Sequence, residues 1–201
     1  MKYVKDRFEI VLVGRSNVGK STLMRLLTGK SVKVGRRPGV TLKPTSVCKS
    51  DLVLTDLPGF GFMSGVNEKR QSVVKNNIIS YIEDNTDKIK LAVLVVDGAI
   101  FLDIANRWQK RNEIPIDIEF FYFLKELNID IILAVNKADK IKNLNLTLDG
   151  IVECLGMDAP WSQWKNIVAP ISAKKNDISM LKELIRDRLH KKGRDDLFKF
   201  V

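Results

Sequence analysis

Apolar and β-branched residues gather in five short runs along the chain: FEIVLVG (8–14), LVLTDLP (52–58), IKLAVLVVDG (89–98), IDIILAVNK (129–137) and KNIVAPIS (165–172). Each is continuous rather than alternating, as in strands covered on both faces of a parallel sheet. Between them, helical spacing of apolar positions predicts helices near 20–28, 66–84, 103–112, 116–127 and 177–192. Strand followed by helix, repeated, predicts a doubly wound α/β domain. KPTSVCKS (43–50) alternates instead, and KSD turns it directly into the run at 52–58. That predicts a hairpin and one antiparallel edge strand on an otherwise parallel six-stranded sheet with helices on both faces. In such sheets, ligands collect at the carboxyl ends of the strands.

At 201 residues and 45% hydrophobic content, the chain suits one core and one domain spanning 1–201. No apolar run reaches the ~18 residues of a membrane span, and charge interrupts the opening MKYVKDRFEIVLVG, so a cytoplasmic protein is expected. Cys48 and Cys154 lie far apart without CxxC spacing, which suggests free thiols rather than zinc or a disulfide framework. The net charge of +10 is unevenly placed: residues 1–50 hold 12 Lys/Arg and 2 Asp/Glu, and the remainder balances. This points either to a polyanionic partner on that side or to a solvated basic face.

The first strand is followed by GRSNVGKS, Gly14 to Ser21, a GxxxxGK[ST] loop entering a helix. Gly14, Arg15, Ser16, Asn17, Val18, Gly19, Lys20, Ser21 and Thr22 are thereby candidates to wrap nucleotide phosphates. Lys20 would reach the β- and γ-phosphates and Ser21 would ligate Mg²⁺. The next strand ends in Asp56, Leu57, Pro58 and Gly59, a carboxylate placed to hold Mg²⁺ through water and a glycine N–H within reach of a γ-phosphate. Asn136, Lys137, Ala138 and Asp139 close another strand. The Asp139 carboxylate can accept from N1–H and N2–H₂ of guanine, a pairing adenine cannot offer. Ile171, Ser172 and Ala173 stand where a backbone N–H could meet guanine O6. Gly39, Val40, Thr41, Leu42 and Lys43 belong to a Gly-, Lys- and Arg-rich segment without a period, expected as a switch over about 29–44, with Thr41 completing Mg²⁺ coordination. A second switch is expected over about 56–70. In-line attack of water on the γ-phosphate would rely on Lys20, Thr41 and Gly59. An ATPase is the competing reading of the loop alone.

GRSNVGKS, RRPGVT, DLPGFGF, NKADK and SAK, in this order across nearly the whole chain, resemble the nucleotide motifs of the EngB (YihA) family of translation-factor-related P-loop GTPases. The resemblance implies a Ras-like GTPase fold, GTP/GDP cycling with Mg²⁺, a role in assembling the large ribosomal subunit, and a link to cell division and septation. The segment from Asp97 to Pro115 departs from the family pattern by its length.

Phe60 follows Gly59 where many GTPases place a water-orienting glutamine, so slow hydrolysis by the isolated chain is expected. The sequence leaves open whether its ring faces inward. Asn17 resembles the asparagine of potassium-stimulated GTPases, which makes K⁺ a candidate cofactor. Lys30, Lys33, Arg36, Arg37, Lys43 and Lys49 lie in or beside the first switch, so ribosomal RNA is the expected polyanion. The alternative is a GTP-gated scaffold with a non-ribosomal partner. A monomer is the expected state. His190 reads as a solvent-facing helix end, and Trp161 and Trp164 as packing residues.

Overall fold

The computed structural model describes residues 7–29, 43–61 and 68–201. Its centre is a six-stranded sheet in the order β2-β3-β1-β4-β5-β6. The strands are β1 (Phe8–Val13), β2 (Thr45–Lys49), β3 (Leu52–Asp56), β4 (Ile89–Asp97), β5 (Ile131–Asn136) and β6 (Val168–Pro170). β1 pairs in parallel with β3 and β4, and β4–β5 and β5–β6 continue the parallel run. β2 lies antiparallel on β3, from Thr45 opposite Asp56 to Lys49 opposite Leu52. The hairpin turn uses a left-handed Ser50, φ 57°. This is the P-loop GTPase architecture, including the expected antiparallel edge.

Among the described residues five α-helices lie between strands, α1 (Lys20–Thr28), α2 (Glu68–Asp84), α3 (Phe101–Gln109), α4 (Ile116–Glu126) and α5 (Leu144–Cys154), and a sixth, α6 (Ser179–Lys191), follows β6. Continuous strand hydrophobicity is explained by two cores. On one face Val11, Leu94, Val96 and Leu133 meet Ile78 and Ile82 of α2, Phe101 of α3, Phe120 and Leu124 of α4 and Ile151 of α5. On the other, Ile10, Leu12, Val93 and Ile132 meet Leu23 and Met24 of α1 and Leu181 and Ile185 of α6. The parallel strands therefore surrender both faces to helices, the arrangement that makes alternation disappear, while the edge strand β2 stays half-buried and alternating.

Helix α5 was not among the predicted elements. Leu144, Leu146 and Leu148 alternate like a strand and Gly150 interrupts, yet Leu148, Ile151, Val152 and Leu155 are the buried, helically spaced set while Leu146 is exposed. Asn143 starts the helix by accepting from the Leu146 N–H at 3.3 Å. Gly150 admits α3, because a Cβ there would sit 3.1 Å from Leu102. The long segment after β4 resolves into α3, a turn and α4.

Trp161 and Trp164 are half-buried against the first core, their indole N–H groups donating to Asn145 Oδ1 and the Asp158 carbonyl. His190 is exposed and faces Asp195. Cys48 and Cys154 are free thiols. One polar cluster runs across the sheet: the Thr55 and Tyr81 hydroxyls both donate to Glu9 Oε1, at 2.6 and 2.7 Å, and Ser46 lies 2.9 Å from Thr55. Among the described residues no helix is long and apolar enough to cross a membrane.

Candidate functional site

The residues singled out in the sequence converge at the carboxyl ends of β1, β3, β5 and β6. β1 ends at Val13 and α1 begins at Lys20, so the loop between them delivers a helix N-terminus with its open N–H groups. Gly19 is required by space as well as by its φ of +104°: a Cβ would lie 2.4 Å from Asn136 Nδ2. Lys20 is buried, and its ammonium donates to the carbonyls of Gly14 at 2.7 Å and Arg15 at 2.9 Å. Burial lowers its pKa to about 8 against the opposing pull of Asp56 and Asp117.

An arriving phosphate favours the charged lysine and restores its pKa. Affinity for GDP is therefore expected to be flat below pH 7.5 and to weaken above about 8, by up to ~10-fold per pH unit. Titrating GDP from pH 7 to 9 by calorimetry checks this, and a flat profile across 8 would sink it.

Asp56 closes β3 and is buried. Ser21 Oγ donates to its Oδ2 at 2.7 Å, while Oδ1 has no hydrogen-bond partner among the described residues. Burial raises its carboxyl pKa, opposed by the Lys20 charge and the Ser21 hydroxyl. A buried carboxylate oxygen lacking a donor, beside a serine hydroxyl, fits a hard cation. A serine hydroxyl and one carboxylate match Mg²⁺, which keeps several waters and takes phosphate oxygens as further ligands.

Leu57, Pro58 and Gly59 carry the chain from Asp56 toward the phosphate loop, where Ser16 Oγ donates to the Gly59 carbonyl at 3.2 Å. Phe60 then forms a parallel bridge with Arg15. Its ring is 1% exposed and lies flat on Phe120, centroids 4.4 Å apart and planes 11° apart. The ring faces inward. Gly39, Val40, Thr41, Leu42 and Phe62 lie outside the described residues, as do residues 30–42 of the first expected switch and 62–67 of the second; Lys43 is described and exposed.

Asn136 ties three loops together, its Nδ2 donating to the Val18 carbonyl at 2.7 Å and its Oδ1 accepting from the Ala173 N–H at 3.0 Å. The Ala173 N–H thus has an intramolecular acceptor in this structure. Lys137 is left-handed at φ 64° and pairs with Asp97 at the end of β4. The Ala138 N–H donates to the Ile171 carbonyl, and Ser172 Oγ donates to Asp139 Oδ1 at 2.5 Å. That hydroxyl, more than anything else, lowers the pKa of the exposed Asp139. A cleft of about 600 Å³ opens here, lined by Asn17, Gly19, Thr22, Asn136, Lys137, Asp139 and Ala173, with Arg25, Lys140 and Asn176 joining them. Sequence reasoning missed Asp97, Asp117 and Phe120, whose side chains meet Lys137, Arg15 and Phe60. An acidic residue in a first helical turn carries a helix-dipole explanation already, so nothing in the sequence marked Asp117.

A phosphate loop after β1, an aspartate closing β3 and an Asn-Lys-Ala-Asp loop braced against the segment after β6 define a P-loop GTPase. A family model described as a 50S ribosome-binding GTPase matches residues 9–137. A Methanosarcina barkeri chain named "Probable GTP-binding protein EngB" is 57% identical over 196 residues, 96% of this chain and 94% of that one. Its counterpart in Halorubrum lacusprofundi is 50% identical over 195 residues, 96% and 95% of the two chains. The crystal structure of an engB protein matches with a TM-score of 0.83 at 46% identity, covering 91% of this chain and 99% of that one. The chain belongs to the EngB family of GTP-binding proteins.

Proposed function

We propose that this chain hydrolyses GTP to GDP and phosphate, slowly when isolated, and acts as a nucleotide-controlled factor in assembly of the large ribosomal subunit. The observation that carries the chemical part is the orphaned Asp56 Oδ1 beside Ser21 and Lys20, in line with the Asp139 cleft. Lys20 and the Gly59 N–H stabilise charge on the γ-phosphate, Arg15, Ser16, Asn17, Val18, Gly19 and Thr22 wrap the phosphates, and Asn136 and Asp139 select guanine, with Lys137 covering the base. Ser21, Thr41 and, through water, Asp56 would hold Mg²⁺, which would supply neutralisation of the phosphate charge. The buried Phe60 ring has no hydrogen bond to give an attacking water, which supports a low intrinsic rate. Residues 1–201 form one GTP-binding domain in this reading, with switches at about 29–44 and 56–70.

The ribosomal part rests on the 50S ribosome-binding description of the family and on the basic first quarter of the chain. Family resemblance adds a requirement in normal cell division and septation; the cytoplasmic location and monomeric state in this reading are the expectations drawn from the sequence. The deciding experiment is binding of purified protein to large-subunit particles with GDP and with a non-hydrolysable GTP analogue, across a salt titration. Tight binding in the GTP-like form that weakens steeply with salt is expected. Binding in neither form would move the partner elsewhere and return the basic quarter to a solvated face. Turnover in the same particles should be faster in KCl than in NaCl if Asn17 helps hold K⁺; equal rates remove the ion.

A further inference from the structure

Asp117 is a buried carboxylate that nucleotide binding does not call for. It stands in the first turn of α4, 3% exposed, and its charge reaches Lys20. Alone, it would oppose the phosphates that the loop is shaped to hold. It is not alone, because Arg15 Nε of the phosphate loop donates to its Oδ2. The other side of that guanidinium packs on Gly61, where a Cβ would lie 2.8 Å from Arg15 Nη1. Arg15 is also the residue whose backbone bridges Phe60: the Ser16 N–H donates to the Phe60 carbonyl at 3.0 Å, and the Phe60 N–H points to the Gly14 carbonyl at 3.4 Å.

One turn further along α4, Phe120 carries the Phe60 ring. Between the two, Glu119 pairs with Lys75 of α2 at 2.5 Å. Asp117, Glu119 and Phe120, within one turn of α4, therefore reach the phosphate loop, the helix α2 and the residue after DLPG. A pair serving only to fasten α4 could end anywhere on the sheet. The Arg15 and Phe60 contacts end on the two residues whose backbones bridge the phosphate loop to the segment holding Gly59.

We propose that Asp117 and Phe120 are positioning residues for GTP hydrolysis, fixing Arg15 and Phe60 from one turn of α4 and so setting the separation between the phosphate loop and Gly59. The proposal rests on the reading of GTP hydrolysis above. Its physical basis is that Phe60 cannot aim a water, so the geometry of attack depends on where the surrounding backbone is held. A misplacement of about 1 Å at such a site costs on the order of 100-fold in rate.

The test is single-turnover GTP hydrolysis, GDP affinity and melting temperature, measured side by side on the full wild-type chain, Asp117→Asn, Phe120→Leu and Arg15→Lys. Asparagine keeps the size of Asp117 and an oxygen for Arg15 Nε but not the charge, and lysine keeps the charge of Arg15 but not its planar fork. Hydrolysis at saturating GTP is expected to fall tenfold or more in each variant, while GDP affinity changes less than threefold in Asp117→Asn and Phe120→Leu, whose side chains are outside the phosphate-binding loop. Combining Asp117→Asn with Phe120→Leu should lose less than the product of the single losses, because both act on one geometry. Unchanged hydrolysis in the folded variants, or equal losses in hydrolysis and GDP binding in Asp117→Asn and Phe120→Leu, would overturn the proposal. If Phe120→Leu fails to fold, the split is read on Asp117→Asn. A wild-type chain without any turnover would overturn the enzymatic reading and this one together, whereas turnover retained in every variant overturns this one alone.

Discussion

Replacing Asp139 with asparagine is expected to lower affinity for GDP by about 10²- to 10⁴-fold and to turn the preference toward xanthosine diphosphate. Ser172 Oγ holds one oxygen of this carboxylate at 2.5 Å and keeps its pKa low, so the group stays ionised and oriented at every working pH. An ionised acceptor matches the two N–H donors on the guanine edge. The amide of asparagine sets a donor against one of them, and xanthine, with a carbonyl at C2, accepts that donor. Competition of GDP, XDP and ADP against a fluorescent nucleotide reads the outcome. A variant that keeps the wild-type order would remove Asp139 from base selection.

Phe60→Ala should destabilise the protein by about 3–5 kcal/mol, and Phe60→Leu by no more than about 1.5 kcal/mol. The ring is 1% exposed and stacked on Phe120, so truncation opens a cavity between α4 and the DLPG loop. Urea unfolding with and without GDP measures the difference. A loss below about 1 kcal/mol for Phe60→Ala would mean that the stack contributes little. Phe60→Gln is not expected to supply a water-orienting group, since its amide would occupy the same apolar slot without a partner.

The elements of the sheet and the nucleotide loops were legible because each is set by local chemistry. A glycine-rich turn followed by Lys20 and Ser21, or an Asp139 three residues after a strand-ending Asn136, needs no distant residue to be recognised. What escaped depends on partners far along the chain. Arg15 and Asp117 are 102 residues apart, and nothing near either one names the other. The direction of the Phe60 ring was undecidable for the same reason, since Phe120 supplies the surface that receives it. The α5 helix was hidden by a local coincidence: three leucines at alternate positions imitate a strand, and the buried set becomes visible only when α3 is packed against Gly150. The unusual length after Asp97 was visible, but its division into α3 and α4 mattered more than its length, because α4 is what meets the phosphate loop.

The oxygen shared by Thr55 and Tyr81 also bears on how such a sequence can drift. Glu9 Oε1 accepts two hydroxyl protons at once, and Thr55 in turn meets Ser46. A glutamine at position 9 keeps an oxygen with two lone pairs and so can still accept both hydroxyls, giving up only the charge that strengthens the bonds. A leucine there removes the acceptor that the two hydroxyls share and leaves Thr55 with Ser46. The three positions are therefore coupled: an apolar residue at position 9 is expected to be better tolerated when Thr55 and Tyr81 lose their hydroxyls with it.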